Sequence, residues 1–169
     1  MSRIILITGG QRSGKSRRAE AEALRLDAAP VYVATARIFD EEFRERVRRH
    51  QARRGPEWTN IERPSGLDGL DLKGRTVLVD CVTLWATNLF FEEGEDADRA
   101  FERFCREFDG LVAHQATYIF VMNEIGLGGV AENALQRRFT DLQGTVNQYI
   151  AARADRVELL VSGIPIPIK

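Results

Sequence analysis

The sequence has few of the residues that build cysteine metal centres. Its 169 residues include two cysteines and two histidines, and the spacing of Cys81 and Cys105 is not that of metal ligands. Cys81 stands in an apolar run of strand length, where a thiol is expected to be buried. We therefore expect both cysteines to be reduced thiols of the core.

Long apolar runs and an excess of one charge are also missing. No apolar segment approaches the roughly 18 residues that span a bilayer, and the run at 4–7 leads into a glycine-rich stretch instead of a cleavage site. The 24 Lys and Arg against 25 Asp and Glu give a net charge of −1, and hence no overall electrostatic reason to bind nucleic acid or an acidic membrane. We expect a soluble, cytoplasmic protein with no membrane span and no nucleic-acid partner.

Apolar runs of strand length alternate with helix-like segments along the chain. The runs lie at 4–7, 31–34, 77–79, 118–122 and 157–161, and the predicted helices at 14–26, 40–54, 83–91 and 96–114. This alternation is typical of an α/β layer fold with a largely parallel sheet. We expect a single domain over 1–169, with an irregular surface connection at 64–74 and an edge strand or extended tail at 164–168.

One octet, at 9–16, carries the clearest motif. It reads Gly-Gly-Gln-Arg-Ser-Gly-Lys-Ser and matches the phosphate-binding P-loop pattern G-x-x-x-x-G-K-[ST], with a strand predicted before it and a helix after it. Its backbone N–H groups and the helix N-terminus attract phosphate, while Lys15 and Ser16 reach the phosphates and a magnesium ion. The sequence thus predicts a nucleotide-binding, P-loop NTPase-like three-layer fold; the alternative is a glycine-rich turn.

Two carboxylates follow apolar strands, as the second acidic group of a P-loop enzyme does. Asp80 closes the run before it in the Walker B form, and Glu124 follows the run at 119–123. Both are expected at the sheet edge where open α/β folds bind ligands. For Asp80 the alternative is a cap on the next helix. For Glu124 it is ordering of the glycine-rich turn at 126–129, and the residues alone leave both alternatives open.

His50 lies on a predicted helix that is rich in arginine. It shares the helix face of Phe43 and Val47, and the arginines at 46, 49, 53 and 54 would hold phosphate nearby and favour the neutral, nucleophilic imidazole. A covalent intermediate is one interpretation. A structural histidine on a basic, solvated helix and a nucleic-acid contact are the others, the last weakened by acidic neighbours at 40–45.

The longest helical pattern lies near the C-terminus. An apolar stripe there is expected to face the core: Leu135, Phe139, Leu142, Val146 and Ile150. A second stripe is polar and comprises Asn133, Arg137, Asp141, Gly144 and Gln148. A close approach at Gly144 would offset the cost of a glycine in a helix. The alternative for this stripe is a solvated face with an Arg137–Asp141 pair.

The motifs in this order resemble a known family over essentially the whole chain. They are the octet at 9–16, Tyr-Val-Ala-Thr-Ala at 32–36, the arginine-rich segment at 46–54, the segment at 58–62, Val-Leu-Val-Asp-Cys at 77–81, Asn-Glu-Ile-Gly at 123–126, Glu-Asn at 132–133, and then Arg137, Phe139, Asp141, Gly144 and Asn147-Gln148. The chain resembles the bifunctional adenosylcobinamide kinase and adenosylcobinamide-phosphate guanylyltransferase of cobalamin biosynthesis.

The resemblance implies two transfers by one polypeptide. Adenosylcobinamide is phosphorylated with a nucleoside triphosphate, ATP or GTP. GMP then passes from GTP to adenosylcobinamide phosphate through a guanylylated histidine, giving adenosylcobinamide-GDP and pyrophosphate. A homotrimer with active sites near the subunit boundaries is also implied. The alternative is a monofunctional P-loop kinase of a small molecule, without covalent GMP.

The resemblance also assigns site residues. His50 matches the guanylylated histidine. The guanine nucleotide contacts map onto Gly9, Gly10, Gln11, Arg12, Ser13, Gly14, Lys15, Ser16, Ala34, Thr35, Ala36, Gln51, Ala52, Arg53, Arg54, Glu62 and Asp80. Mg²⁺ is expected at Ser16 and Asp80. Some family members carry glutamate at the position of Asp80. From the residue pattern alone, 34–36 and Glu62 read only as loop residues.

Overall fold

The computed structural model describes residues 1–37, 41, 45, 48, 52 and 54–169. Its strands are β1 (Arg3–Gly9), β2 (Val31–Ala34), β3 (Thr59–Glu62), β4 (Thr76–Asp80), β5 (Thr117–Asn123), β6 (Arg156–Val161) and β7 (Ile164–Pro167). Its helices are α1 (Lys15–Leu26), α2 (Val82–Glu92), α3 (Ala97–Ala113) and α4 (Ala134–Arg153), with short 3-10 turns at Leu67–Gly69 and Gly126–Gly128. Within the predicted helix at 40–54, the described residues Glu41, Glu45, Arg48 and Ala52 are helical, whereas Arg54, which is also described, is not.

The strands of the described residues form one sheet in the order β3-β2-β4-β5-β1-β6-β7. All neighbours pair in parallel except β6 and β7, which are antiparallel. The largely parallel sheet expected from the sequence is confirmed. Because parallel strands end at the same edge, the carboxyl ends of β1 to β5 lie side by side, and this carboxyl edge carries the candidate site.

Alternation along the strands sends side chains to two separate cores. On one face, Ile4 and Leu6 of β1 pack in the larger core beneath α2, α3 and α4. On the other, Ile5 and Ile7 pack with Ala19 and Ala23 of α1. Helices therefore cover both faces, which is the three-layer arrangement expected from the sequence.

Ionic contacts join α1 to the strand β6. Glu22 is 2% exposed, and its carboxylate contacts Arg18, Arg25 and Arg156 at 3.1, 2.8 and 2.7 Å. Arg18 also donates two hydrogen bonds to Glu158 of β6. The helix that begins at the octet is thereby joined to the strand on the outer side of β1.

Two expectations about local structure were wrong. Glu62 is the last residue of the strand β3, not a loop residue. The connection at 64–74 is not confined to the surface, because Leu67 and Leu72 are buried and the buried Glu107 accepts hydrogen bonds from the backbone N–H of Gly66 and from Trp85 Nε1. The edge strand expected near the C-terminus is confirmed as β7.

Candidate functional site

The octet forms a tight loop between β1 and α1. A Cβ on Gly9 would lie 2.5 Å from the carbonyl oxygen of Leu160 in β6, and Gly14 has the left-handed φ of 96°. Both positions therefore need glycine. The loop passes so close to β6 that Gly163 N–H donates to the carbonyl of Ser13 at 2.9 Å.

The loop presents the start of α1 as an anion site. Gly14 caps the helix without a side-chain hydrogen bond, and the first turn has no acidic residue. Lys15 is 7% exposed, and its Nζ donates to the carbonyl of Gly10 at 2.6 Å and to Ser13 Oγ at 3.4 Å. Helical N–H groups and a lysine ammonium thus converge on one small volume, which is the arrangement that holds phosphate.

Asp80 lies at the end of β4, two strands from β1. Its Oδ2 accepts a hydrogen bond from Tyr32 Oη at 3.0 Å. The residue that caps α2 is Cys81, without a side-chain hydrogen bond, so the alternative of Asp80 as helix cap was wrong. Burial, followed by the charge of Asp80, raises the pKa of the Cys81 thiol to about 12, and both cysteines are free thiols.

Three predicted contact positions form a row across the carboxyl edge. In the sheet register Ala34 of β2 pairs with Glu62 of β3 on one side and with Asp80 of β4 on the other. The backbone continues this order, because Arg63 N–H donates to the carbonyl of Ala34 at 2.8 Å. Residues that are 46 positions apart in the sequence therefore share one line of the sheet.

The segment after β2 holds this row in place. Thr35 is fully buried, and its hydroxyl donates to the carbonyl of Cys81 at 2.8 Å and accepts from Cys81 N–H at 2.9 Å. Its carbonyl accepts a hydrogen bond from Asn88 Nδ2 at 2.8 Å. The side chain of Thr35 is thus used to join β2 to β4, while Ala34 and Ala36 are half-buried beside it.

Arg54 joins the predicted arginine-rich segment to the same row. Its guanidinium carbon lies 3.5 Å from the ring centre of Tyr32, and its Nε donates to Asn60 Oδ1 at 2.9 Å. Ala52 is helical and exposed. His50, Gln51 and Arg53 lie outside the described residues.

Glu124 directly follows β5, the strand beside β1. Its Oε1 accepts hydrogen bonds from Thr8 Oγ1 at 2.8 Å and from Asn147 Nδ2 at 3.1 Å. The carboxylate therefore faces the root of the octet, and its hydrogen bonds go there instead of to the turn at 126–129. Of the two alternatives that the residues left open for Glu124, this geometry favours the acidic group near the phosphates.

The polar stripe on α4 has several separate roles. Asn133 caps the helix by accepting from the backbone N–H of Leu135 and Gln136. Arg137 donates to the carbonyls of Ala131 and Glu132, so the guanidinium holds the preceding loop. A Cβ on Gly144 would meet no atom of the described chain within 4 Å, and the expected close approach at this glycine is absent from that part of the chain.

Sequence reasoning missed three supports of the site. Tyr32, Thr8 and Asn147 hold the two carboxylates, yet each is an ordinary strand or helix residue in the sequence. Tyr32 and Asn147 fall within the motif positions of the resemblance, which was the available signal for them. Thr8 had none, because its partner depends on the strand order.

The described residues contain no group of three or more His, Cys, Asp or Glu side chains that could hold a metal ion.

Within the same residues, no helix is long and apolar enough to cross a membrane.

Comparison with known proteins gives matches along nearly the whole chain. Residues 5–168 match the family described as cobinamide kinase / cobinamide phosphate guanyltransferase. The bifunctional adenosylcobalamin biosynthesis protein CobU of Escherichia coli (strain K12) is 42% identical over 182 residues, covering 98% of this chain and 99% of that protein. The protein of the same name from Salmonella typhimurium is 43% identical over 182 residues, with the same coverage.

A solved structure shares the fold at low sequence identity. It is a prototypical ATPase from the type III secretion system of pathogenic bacteria, with a TM-score of 0.54 and 12% identity over 94% of this chain and 51% of that one. The P-loop NTPase-like fold that the sequence predicted is confirmed.

Proposed function

The chain belongs to the cobinamide kinase / cobinamide phosphate guanyltransferase family, and from this premise we propose that it performs both reactions in cobalamin biosynthesis. In the first, the hydroxyl oxygen of adenosylcobinamide attacks the γ-phosphorus of ATP or GTP, and the nucleoside diphosphate leaves. In the second, GMP passes from GTP to adenosylcobinamide phosphate, giving adenosylcobinamide-GDP. The relatives bear the name of a bifunctional protein of this pathway.

The second reaction proceeds in two steps through His50. A nitrogen of its imidazole attacks the α-phosphorus of GTP, a phosphoramidate bond forms, and pyrophosphate leaves. A phosphate oxygen of adenosylcobinamide phosphate then attacks the same phosphorus, and His50 is released. Arginine donors such as Arg53 and Arg54 stabilise the charge that develops on the phosphoryl oxygens.

One observation carries the proposal, namely the continuity of the carboxyl edge. The resemblance assigned two sets of residues, distant in the sequence, to one nucleotide. One set is the loop at 9–16, where Lys15 Nζ donates to the carbonyl of Gly10. The other comprises Glu62, Ala34 and Asp80, which are paired across β3, β2 and β4. In the fold they lie along the same edge. A guanine nucleotide with its phosphates on the loop would extend across β5 and β4 towards β2 and β3.

Mg²⁺ fits the oxygen donors at this edge. Ser16 offers a hydroxyl in the first turn of α1, and Asp80 a carboxylate held by Tyr32; both are hard oxygen ligands of the kind that Mg²⁺ prefers. When bound, the ion would neutralise charge on the phosphates. Ser16 and Asp80 are thus the proposed metal residues, and the remaining positions would be filled by phosphate and water.

The partners follow from the reaction. The acceptor is a corrinoid, there is no nucleic-acid partner, and the place of action is the cytoplasm. We include the homotrimer in the proposal. Ile164, Ile166 and Ile168 are exposed on the edge strand β7 and beyond it, and an exposed apolar strand edge is a surface suited to a second copy.

The test of the function is a covalent label. Incubation of the protein with α-labelled GTP and Mg²⁺ is expected to give a labelled protein whose bond is labile in acid and stable in base. His50→Ala should abolish the label and the guanylyl transfer, while kinase activity is retained.

His114→Ala is the matched control, because His114 is the only other histidine of the chain and ends α3. This variant should label like the natural protein. Labelling that persists in His50→Ala would remove His50 from the mechanism. Phosphate transfer with no label in the natural protein would instead identify the monofunctional kinase.

A further inference from the structure

Glu124 stands where the proposed phosphate site meets the sheet. Gly9, which ends β1 and opens the loop, is paired with Asn123, the last residue of β5, and Glu124 is the next residue along the chain. Its backbone N–H donates to the carbonyl of Gly9 at 3.1 Å. Because neighbouring strands lie about 4.8 Å apart, the Glu124 carboxylate is held beside the first residues of the loop.

The carboxylate is fixed through one of its two oxygens. Oε1 accepts from Thr8 Oγ1 and from Asn147 Nδ2, and Thr8 and Asn147 are 4% and 9% exposed. Asn147 presents its amide nitrogen because its Oδ1 already accepts a hydrogen bond of 2.6 Å from Gln143 Nε2, and Gln143 is fully buried. The polar chain from α4 therefore sets the orientation of Glu124.

The second oxygen, Oε2, has a different environment. Among the described residues, Oε2 accepts no hydrogen bond and has no lysine or arginine partner, and Glu124 itself is half-buried. The more deeply buried carboxylates of the protein differ, because Glu22 and Glu107 are paired with arginines. Glu124 thus keeps one oriented, unneutralised oxygen at the end of the strand that separates Asp80 from the phosphate loop.

We propose that Glu124 is the general base of the phosphorylation step, an inference that rests on the proposed kinase function. Oε2 takes the proton of the acceptor hydroxyl as its oxygen forms the bond to the γ-phosphorus. The bond from that phosphorus to the bridging oxygen breaks, and the nucleoside diphosphate leaves with the electron pair. Glu124 then returns the proton to solvent. Thr8 and Asn147 are positioning residues, since they act on the substrate only through Glu124.

The guanylyl half-reaction provides the discriminating measurement. In that reaction the nucleophile is an imidazole nitrogen, and no hydroxyl proton is removed. Loss of a general base should therefore affect phosphorylation alone. Loss of a residue that binds the shared nucleotide or Mg²⁺ should affect both reactions.

The experiment compares Glu124→Gln with the natural protein in both assays. Glutamine keeps the shape and an oxygen for Thr8 and Asn147 but cannot accept the proton. The kinase kcat should fall by a factor of about 10² or more, with KM for the nucleotide changed by less than about threefold. Labelling by α-labelled GTP and GMP transfer to supplied adenosylcobinamide phosphate should stay within about twofold of the natural rates.

Further variants separate catalysis from folding. Glu102→Gln removes an exposed carboxylate of α3 and is the control for the charge change; it should leave both rates unchanged. Glu124→Ala should regain part of its kinase rate in added formate, which supplies a small carboxylate. Thr8→Val and Asn147→Leu should lower the kinase kcat by about tenfold with KM unchanged, because Glu124 loses its orientation.

Three results would overturn the inference. If the kinase rate of Glu124→Gln stays within about threefold of the natural rate, Glu124 is not the general base. Equal losses in both assays, or a higher Mg²⁺ requirement in both, make Glu124 a nucleotide or metal residue. Absence of kinase activity in the natural protein, with guanylyl labelling present, contradicts the proposed kinase function itself and with it this role.

Discussion

At the scale of single residues, Tyr32 connects three parts of the candidate site. Its ring lies under the Arg54 guanidinium and makes a T-shaped contact with Trp58, with 6.0 Å between ring centres. Its hydroxyl donates to Asp80. Burial, followed by the charge of Asp80, holds the pKa of Tyr32 well above its usual range. The phenol therefore remains protonated and acts as a permanent donor to the proposed metal ligand.

Replacement of Tyr32 by phenylalanine tests this connection. Tyr32→Phe keeps both ring contacts and removes the donor that orients Asp80. We expect the Mg²⁺ concentration for half-maximal guanylylation to rise by about three- to tenfold, with a loss of about 1 kcal/mol in the free energy of unfolding. A Mg²⁺ titration of the labelling rate measures the first effect and urea denaturation the second.

A second tyrosine–aspartate pair is the control. Tyr149 Oη donates to Asp109 Oδ2 at 2.7 Å, in a surface region near the amino end of β1. Tyr149→Phe should change stability without any change in the Mg²⁺ requirement. An unchanged Mg²⁺ requirement in Tyr32→Phe would show that Asp80 needs no such orientation.

Glu22 carries a pH dependence of stability. The hydrogen bond from Arg25, with those from Arg156 and Arg18, lowers the pKa of Glu22 from 4.5 to about 2 although burial opposes this. The folded protein therefore keeps the charge while the unfolded chain takes up a proton below pH 4.5. The contribution is complete above that pH and is lost as the pH falls towards 2.

We predict the effect of removing this charge. Glu22→Gln should lower the free energy of unfolding at pH 7 by about 2 kcal/mol, less than the full pKa shift implies because Arg25 is exposed. The difference from the natural protein should shrink between pH 4.5 and pH 2. Urea denaturation over this range measures it, with Glu102→Gln as the exposed control. A difference that stays constant with pH would exclude Glu22 as its source.

At the scale of helices and strands, α4 combines a core stripe with an incompletely packed outer face. Leu142, Val146 and Ile150 are buried as the periodicity predicts. Gly144 is half-buried with open space around its Cβ position, whereas a Cβ on Gly110 of α3 would lie 2.7 Å from Asp68 Cβ. Close packing therefore requires glycine at Gly110 but not at Gly144, and the sequence around the two positions does not indicate this difference.

These glycines give a prediction with opposite signs. Gly144→Ala should raise the free energy of unfolding by about 1 kcal/mol through helix propensity. Gly110→Ala should lower it by about 1–2 kcal/mol, because the methyl group crowds Asp68. Thermal or urea denaturation of both variants measures the changes. A loss of stability in Gly144→Ala that depends on protein concentration would instead indicate that a second copy packs on this face.

Short elements were the least predictable from the sequence. The core strands were found because their apolar runs are long enough to be buried on both faces. β3 was not, because Ile61 is its one apolar residue and the strand lies at the sheet edge. The octet could be recognised in the sequence because its eight residues are contiguous. The hydrogen bonds of Tyr32, Thr8 and Asn147 could not be predicted, because their partners lie on other elements that come together only in the folded chain.

At the scale of the whole molecule, strand order decides how far each of the two carboxylates, Glu124 and Asp80, lies from the octet loop. β5 lies between β1 and β4, so Glu124 stands nearer the loop than Asp80 does, although Asp80 has the more familiar sequence pattern. Sequence alone places both residues at one edge but does not rank them by distance from the phosphates. The fold class was predictable from the alternation of apolar strands and helices along the sequence. The relative distances of the two carboxylates from the loop follow only from the strand order.

The position of β1 also has a consequence for how the protein is made. β1 precedes both of its neighbours, β5 and β6, along the chain, and the loop that follows β1 lies against Leu160 and accepts a hydrogen bond from Gly163 N–H. Because synthesis proceeds from the N-terminus, a growing chain on the ribosome carries the complete octet long before it carries the loop's supports. The loop therefore reaches its final packing only after β6 and the turn that follows it have been made.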